Sequence, residues 1–189
     1  MRAALLTDLE TFEIRDVPAP RIRDDTDVLL RVEQVGVCGS GIHYYREGRI
    51  GSERVRFPAA IGHECSAVVE AVGDGVTRVR PGQRVVLDPL VVCGHCDQCR
   101  AGRKHLCRRQ AFMGCPSQLG GALVEQIVMP ESCCFPVPQA ITPERAVLLE
   151  PFPIALHATR LAGDLAGRRV GILGAGPIGL CVLAAAQAA

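Results

Sequence analysis

Short segments rich in β-branched and apolar residues recur through residues 1–130 and predict a mainly β-structured region. Proline and aspartate positions that are typical of turns separate the first three segments, and the fourth ends at Gly73-Asp74-Gly75. The predicted strands cover residues 2–6, 12–17, 28–35, 65–72, 78–88 and 122–129.

A different pattern begins near residue 140. Thr142 followed by Pro143 is typical of a helix start, because threonine caps a helix and proline is tolerated at its first position. This helix is predicted to reach Glu150, where Pro151 interrupts it, and a second helix follows. A compact strand is then expected at 168–173, before a glycine-rich turn and an alanine-rich helix.

Composition and charge exclude some classes of function. The 189 residues suffice for one domain and part of a second, and their charges balance to a formal net charge of +1. A nucleic-acid-binding chain usually carries a basic stripe, and none is visible in this sequence. Aromatic residues, on which bases could stack, make up only 4%. The uncharged stretch 170–189 is long enough to span a bilayer, but five glycine and proline residues in its first half favour a strand and a turn. We therefore expect neither a nucleic-acid partner nor a membrane span.

The ten cysteines are the most informative feature of the composition. Since the chain begins without an apolar targeting run, they predict a reducing compartment, the cytoplasm, and metal binding rather than disulfides. Four thiolates at short spacing can close the tetrahedral shell of zinc, which makes the predicted ion structural. Chance clustering and disulfides are the alternatives, and three cysteines within seven residues are too close to pair comfortably. The four predicted ligands are Cys93, Cys96, Cys99 and Cys107.

A second group of ligand-type residues lies earlier in the chain. Cys38 follows the third predicted strand, and alone it is equally consistent with a buried cysteine before a short helix. His63 and Glu64 add an imidazole and a carboxylate next to a glycine. A thiolate, an imidazole and a carboxylate are the ligands of a catalytic zinc, whose fourth position stays open for water or substrate. The sequence therefore predicts two zinc ions per chain, one in a site with a closed coordination shell and one in a site with an open position.

The glycine-rich turn has the form Gly174-Ala-Gly176-Pro-Ile178-Gly179. Between a strand and a helix, the G-x-G-x-x-G pattern is typical of a dinucleotide-binding turn. A glycine-rich connection without a ligand is the alternative. The pattern fits NAD or NADP equally, because the residue that selects between them follows about 20 positions later.

The order of these motifs resembles that of the zinc-dependent medium-chain alcohol dehydrogenases. Gly-His-Glu comes first, the four-cysteine lobe follows, and the glycine-rich turn comes last. His43-Tyr-Tyr, Gly48-Arg-Ile-Gly51 and Glu150-Pro151 are similar to the corresponding segments of sorbitol and other polyol dehydrogenases.

The resemblance implies an α/β protein with two parts. Residues 1–153 would form a mainly β GroES-like catalytic domain with the structural zinc lobe at 90–110. Residues 154–189 would form a linking helix and the first strand, turn and helix of a Rossmann cofactor domain. Because members of the family are longer, we expect a chain that is inactive alone.

The resemblance also implies a role for each site residue. Cys38 and His63 correspond to ligands of the catalytic zinc, and Glu64 and Glu150 to the two carboxylates near it, either of which can be the direct ligand. Ser40 and His43 correspond to the residues of the proton relay, and Tyr44 corresponds to a residue of the substrate pocket. The residues that correspond to the cofactor-binding turn are Gly174, Gly176, Ile178 and Gly179.

The activity that the resemblance implies is oxidation of a secondary alcohol of a polyol or sugar alcohol by hydride transfer to NAD or NADP, in a homodimer or homotetramer. A threonine-type or other zinc alcohol dehydrogenase is the alternative within this class. A zinc-stabilised binding module without turnover is the alternative from another class.

Gly41 departs from the family pattern, in which an aspartate at this position accepts a hydrogen bond from the zinc-bound histidine. Loss of such an outer partner typically lowers metal affinity or activity by about 10–100-fold. We therefore expect the open site to hold its metal less tightly than the four-cysteine lobe.

Overall fold

The computed structural model describes all residues from Met1 to Ala189. Its strands are β1 (Arg2–Asp8), β2 (Thr11–Asp16), β3 (Asp27–Val35), β4 (Arg49–Ile50), β5 (Glu53–Arg54), β6 (Cys65–Val72), β7 (Arg84–Leu87), β8 (Leu90–Val91), β9 (Ala111–Phe112), β10 (Gln126–Pro130) and β11 (Cys134–Pro136). Its α-helices are α1 (Gly39–Glu47), α2 (Asp97–Arg100), α3 (Pro143–Ala146), α4 (Phe152–Ala162) and α5 (Pro177–Gln187). Single 3-10 turns lie at Lys104–Leu106, Glu131–Cys133 and Val147–Leu149.

A five-stranded antiparallel sheet with the order β10-β3-β6-β7-β11 organises the first part of the chain. Strands β3 and β6 pair from Val28 opposite Val72 to Val35 opposite Cys65. Because this ladder ends at residues 35 and 65, the segments that leave it, 36–38 and 62–64, emerge at the same end of the sheet. That placement brings the predicted ligands of the open zinc site together.

The core is built by apolar side chains that lie on one face of the strands. Successive side chains of a strand point to opposite faces. The buried residues at alternate positions are Val28 and Leu30 in β3 and Ala67 and Val69 in β6, whose first three residues are all buried. Burial of each valine or leucine side chain contributes about 1.5–3 kcal/mol. Five cysteines outside the two predicted ligand groups are expected from the sequence to be packing residues. Cys65, Cys115, Cys133 and Cys134 are buried, whereas Cys181 is only half-buried. The fully buried apolar residues include Val28, Leu30, Val69, Val85, Leu87 and Met113.

The segment before His63 is held by hydrogen bonds from the backbone of residues 121–123. The N–H groups of Gly121 and Ala122 donate to the carbonyl oxygens of Ala60 and Gly62, both at 2.9 Å. A side chain at Gly121 would overlap the backbone of Ile61, so only glycine permits this approach. The position of His63 therefore depends on residues almost 60 positions further along the chain.

The chain divides into two compact units, Met1–Val147 and Leu148–Ala189. The functional domain boundary predicted between residues 153 and 154 stays a prediction. None of the helices is long and apolar enough to cross a membrane.

Two sequence-based predictions in the last 50 residues are corrected by the structure. The helix that starts after Thr142 ends at Ala146 and continues as a 3-10 turn, not as one helix to Glu150. No strand forms at 168–173. A strand requires hydrogen bonds to a neighbouring strand, and the second unit, which holds α4, α5 and the end of a 3-10 turn, contains no strand. Leu173 accordingly is fully exposed.

Candidate metal centres

Cys38, His63 and Glu64 meet at the end of the β3–β6 ladder. Cys38 precedes α1, and the other two residues precede β6. One ligand atom from each, a thiol sulfur, an imidazole nitrogen and a carboxylate oxygen, lies within 4.8 Å of the other two. The structure thus brings together three residues that the sequence separated into two groups.

The electrostatics of this cluster suit a metal ion. Burial lowers the pKa of His63, so its imidazole stays neutral and keeps a lone pair for a cation. Burial raises the pKa of Glu64, and a hydrogen bond from Cys38 partly offsets this. The His63 ring also packs edge-to-face on Phe112, with ring centroids 5.2 Å apart. A cation would compensate the cost of burying the Glu64 carboxylate, and the donor set therefore fits Zn²⁺.

A cavity of about 290 Å³ opens next to Cys38 and His63. The wall also includes Gly41, whose backbone has no left-handed φ and whose side-chain position is open except for the Ile61 side chain. The other lining residues are mostly apolar: Phe12, Gly36, Val37, Ile42, Tyr45, Ile61, Gly62 and Leu123.

The two neighbouring tyrosines of α1 face different surroundings. Tyr44, predicted to bind substrate, is buried, and its hydroxyl lies 3.9 Å from the sulfur of Cys115. Tyr45 instead lines the cavity and stacks on Phe12, with ring centroids 5.6 Å apart. The substrate role of Tyr44 stays a prediction. Tyr45 was missed because adjacent aromatic residues on a helix give no signal of which one faces a cavity.

Helix α1 also carries the residues predicted to relay a proton. Ser40 and His43 are three positions apart, so they lie on neighbouring parts of one helix face. The Nδ1 atom of His43 lies 2.8 Å from a carboxylate oxygen of Glu47, one turn further along. Glu47 was missed by the sequence analysis, although an i, i+4 histidine–glutamate pair on a predicted helix would have indicated it.

The four-cysteine cluster predicted from spacing alone also forms. The sulfur atoms of Cys93, Cys96, Cys99 and Cys107 lie within 4.8 Å of one another, and those of Cys93 and Cys107 are 3.5 Å apart. All ten cysteines are free thiols, so no disulfide forms in this lobe. Helix α2 and the 3-10 turn at Lys104–Leu106 carry the chain around the cluster.

The thiols of this lobe differ in acidity because their surroundings differ. Backbone hydrogen bonds from Arg108 and Cys99 lower the pKa of Cys96 to about 6. Burial, with the neighbouring thiols of Cys96 and Cys107, raises the pKa of Cys99 to about 12. Four thiolates share this space only when a cation compensates their mutual repulsion, so the lobe fits one tetrahedral zinc.

The remaining predicted site residues belong to the second unit. Gly176 is the N-cap of α5, Ile178 and Gly179 lie in its first turn, and Gly174 has φ = +103°. A side chain at Gly179 would overlap the carbonyl group of Gly174, which explains why the turn requires glycine there. Glu150 lies between a 3-10 turn and α4, and its predicted role at the zinc stays a prediction.

Comparison with known proteins agrees with the fold. The family model described as "Alcohol dehydrogenase GroES-like domain" matches residues 24–139, more than half of the chain. Sorbitol dehydrogenase of Bacillus subtilis (strain 168) is 39% identical over 188 residues, which cover 100% of this chain and 53% of that protein.

Two solved structures show the same fold. Galactitol-1-phosphate dehydrogenase of Escherichia coli superimposes with a TM-score of 0.90 at 29% identity, covering 100% of this chain and 53% of that one. A protein of Sinorhizobium meliloti 1021, described as a zinc-binding dehydrogenase and bound to NADP, has a TM-score of 0.82 at 30% identity. The match covers 99% of this chain and 53% of that one.

A mainly β domain with one four-cysteine cluster and one thiol–imidazole–carboxylate cluster defines the class of protein. The chain belongs to the alcohol dehydrogenase GroES-like domain family. This confirms the resemblance and the fold class predicted from the sequence. The chain spans about half the length of the curated relatives that it matches.

Proposed function

We propose that the whole protein is a zinc-dependent dehydrogenase that oxidises a secondary alcohol of a polyol or sugar alcohol with NAD⁺ or NADP⁺ by hydride transfer. The convergence of Cys38, His63 and Glu64 within 4.8 Å carries this proposal. The likeness to a protein named sorbitol dehydrogenase, identical at 39% of positions, supports the substrate class.

The roles of the residues follow from their positions. Cys38 and His63 would hold the ion, and burial keeps the His63 imidazole in the neutral form that binds metal. Zinc, when bound, supplies a positive charge that polarises the hydroxyl group of the substrate. Glu64, in reach of the same point, would supply the third protein ligand and leave the fourth position to water or substrate. Glu150 is the second carboxylate proposed for this role.

The proton of the alcohol would leave along α1, through Ser40 and His43. With its Nδ1 hydrogen donated to the carboxylate of Glu47, His43 would have Nε2 free to accept a proton. The His43 side chain is 60% exposed, which allows it to pass that proton to solvent.

The proposal includes the cofactor, the second metal and the assembly. Gly174, Gly176, Ile178 and Gly179 would approach the pyrophosphate of the dinucleotide, and hydrogen-bond donors at the start of α5 would face it. The lobe at 90–110 would hold a structural zinc, giving two zinc ions per chain. Tyr44 would help to shape the substrate pocket, and the protein would act as a homodimer or homotetramer.

The test is His63→Ala in the full-length protein, with sorbitol and xylitol as substrates and reduction of NAD⁺ or NADP⁺ as the readout. Turnover is expected to disappear while one zinc, that of the lobe, remains bound. His105→Ala, which changes an exposed histidine in the lobe, is the matched control and is expected to keep both activity and metal. Retained turnover in His63→Ala would overturn the assignment of the open site.

A further inference from the structure

Gly36 has no conformational reason to be glycine. It follows β3 directly, and its φ lies outside the left-handed region that glycine alone adopts readily. The reason is spatial. A Cβ atom at this position would overlap the Oε2 atom of Glu64 and would lie 3.0 Å from Glu64 Cβ and 3.4 Å from Glu64 Cδ. The carboxylate of Glu64 thus occupies the space that any side chain at residue 36 needs.

The backbone prevents the two residues from separating. The N–H group of Gly36 donates to the carbonyl oxygen of Glu64 at 2.7 Å, and this bond extends the β3–β6 ladder beyond the Val35–Cys65 pair. Cys38 lies two residues after Gly36, and His63 lies one residue before Glu64. A shift that relieved an overlap at residue 36 by moving the backbone would therefore also move two candidate metal ligands.

We propose that Gly36 is a positioning residue for the open metal site. Its missing side chain lets the Glu64 carboxylate lie against the backbone, within 4.8 Å of the ligand atoms of Cys38 and His63. A methyl group at residue 36 forces the flexible end of Glu64 into another rotamer and removes its oxygen from that position. The inference rests on the proposed open zinc site and adds to it the element that sets the place of the carboxylate.

The experiment measures metal binding by the purified chain, without any need for turnover. One equivalent of Zn²⁺ first fills the four-cysteine lobe, and the open site is then titrated with Co²⁺, whose visible absorption bands report its ligands. Gly36→Ala is expected to weaken Co²⁺ binding by about 10–100-fold and to change these bands. Gly39→Ala is the matched control, because Gly39 lies three residues away, has no left-handed φ, and has no atom near its side-chain position.

A second comparison separates positioning from a general loss of structure. In a Glu64→Ala background there is no carboxylate to displace, so adding Gly36→Ala is expected to change Co²⁺ affinity less than about twofold. An equal loss of affinity in both backgrounds, or no loss in Gly36→Ala alone, would overturn the role of Gly36. A wild-type chain that binds no Co²⁺ after the lobe is filled would instead overturn the open metal site itself, and with it this inference.

Discussion

Neighbouring residues of α1 differ sharply in their environment, and Tyr44 shows this most clearly. Burial, together with the Cys115 thiol and the charge of Glu53, raises the pKa of the Tyr44 hydroxyl to about 12. The unfolded chain ionises a tyrosine near pH 10, whereas the folded chain keeps the proton. The stabilisation from Tyr44 is therefore fully present below about pH 10 and is lost as the pH rises from about 10 to about 12.

The chain contains only two tyrosines and no tryptophan, so their ionisation can be followed by ultraviolet absorbance. We expect one phenol to resist ionisation until about pH 12, and this late step to disappear in Tyr44→Phe. Tyr45→Phe is the control that keeps the late step. If the late step survived in Tyr44→Phe, the buried environment assigned to this side chain would be incorrect.

Gly41 offers a second prediction at the level of one residue. Its φ is not left-handed, and an added Cβ would meet only the Ile61 Cδ1 atom, at an ordinary 3.8 Å. A side chain can therefore start at residue 41 without backbone strain, in the wall of the cavity that also contains His63. We expect Gly41→Asp to tighten zinc binding at the open site by about tenfold, because the carboxylate holds the metal-bound imidazole. Zinc release against chelator concentration measures the change.

Gly39→Asp serves as the control for charge alone, since it adds the same carboxylate at a position without neighbouring atoms. Equal tightening in both variants would show that charge, not a hydrogen bond to His63, is responsible. In the wild-type chain we expect the open site to lose its zinc before the lobe does. Simultaneous loss would mean that another group already holds His63.

At the level of elements, we expect the four-cysteine lobe to depend on a bound metal more than on apolar packing. Helix α2 has four residues and the following 3-10 turn has three, which are too few to be stable alone. Bound zinc at 1,000 times its dissociation constant contributes about 4 kcal/mol, which corresponds to about 8–16 °C in melting temperature. We expect Cys96→Ser to lose one zinc per chain and a large part of this stabilisation.

Thermal unfolding and metal analysis of the same samples check this expectation. Cys181→Ser is the matched control, because Cys181 is a partly exposed thiol in α5, outside both clusters. It should retain both zinc ions and the melting temperature. Unchanged zinc content and stability in Cys96→Ser would refute the structural role of the lobe.

The elements also show which parts of the pattern were sufficient for prediction. The strands predicted at 28–35 and 65–72 match Asp27–Val35 and Cys65–Val72, because each has a β-branched run and pairs with the other. The strand predicted at 168–173 did not form, although the segment contains the β-prone residues Val170 and Ile172. Apolar β-prone residues form a strand only where another strand offers hydrogen bonds, and this condition is not visible in the segment itself.

At the level of the whole molecule, every residue of the two ligand clusters lies in the first unit, Met1–Val147. We therefore expect a chain shortened to residues 1–147 to fold and to bind two zinc ions, since it retains the five-stranded sheet and its core. Native mass spectrometry counts the ions directly. The experiment also separates the two candidate carboxylates, because the shortened chain keeps Glu64 and lacks Glu150.

Glu150→Gln in the full chain is the companion variant. If the shortened chain and Glu150→Gln both bound a single zinc, Glu150 would be a required ligand of the open site, and Glu64 alone would not suffice. Two zinc ions in both proteins would assign the carboxylate ligand to Glu64.

The sequence by itself determined the features that depend on short spacing. The four cysteines between residues 93 and 107 lie close together because few residues separate them. Likewise, Gly62-His63-Glu64 places two ligand types side by side. Only the tertiary structure decided which distant residues meet. The β3–β6 register brings Cys38 to His63 and places the Glu64 carboxylate against Gly36. The packing of α1 buries Tyr44, while Tyr45 lines the cavity. Covalent spacing fixes local distances, whereas distant contacts depend on strand register, and a shift of one residue would turn every side chain to the other face.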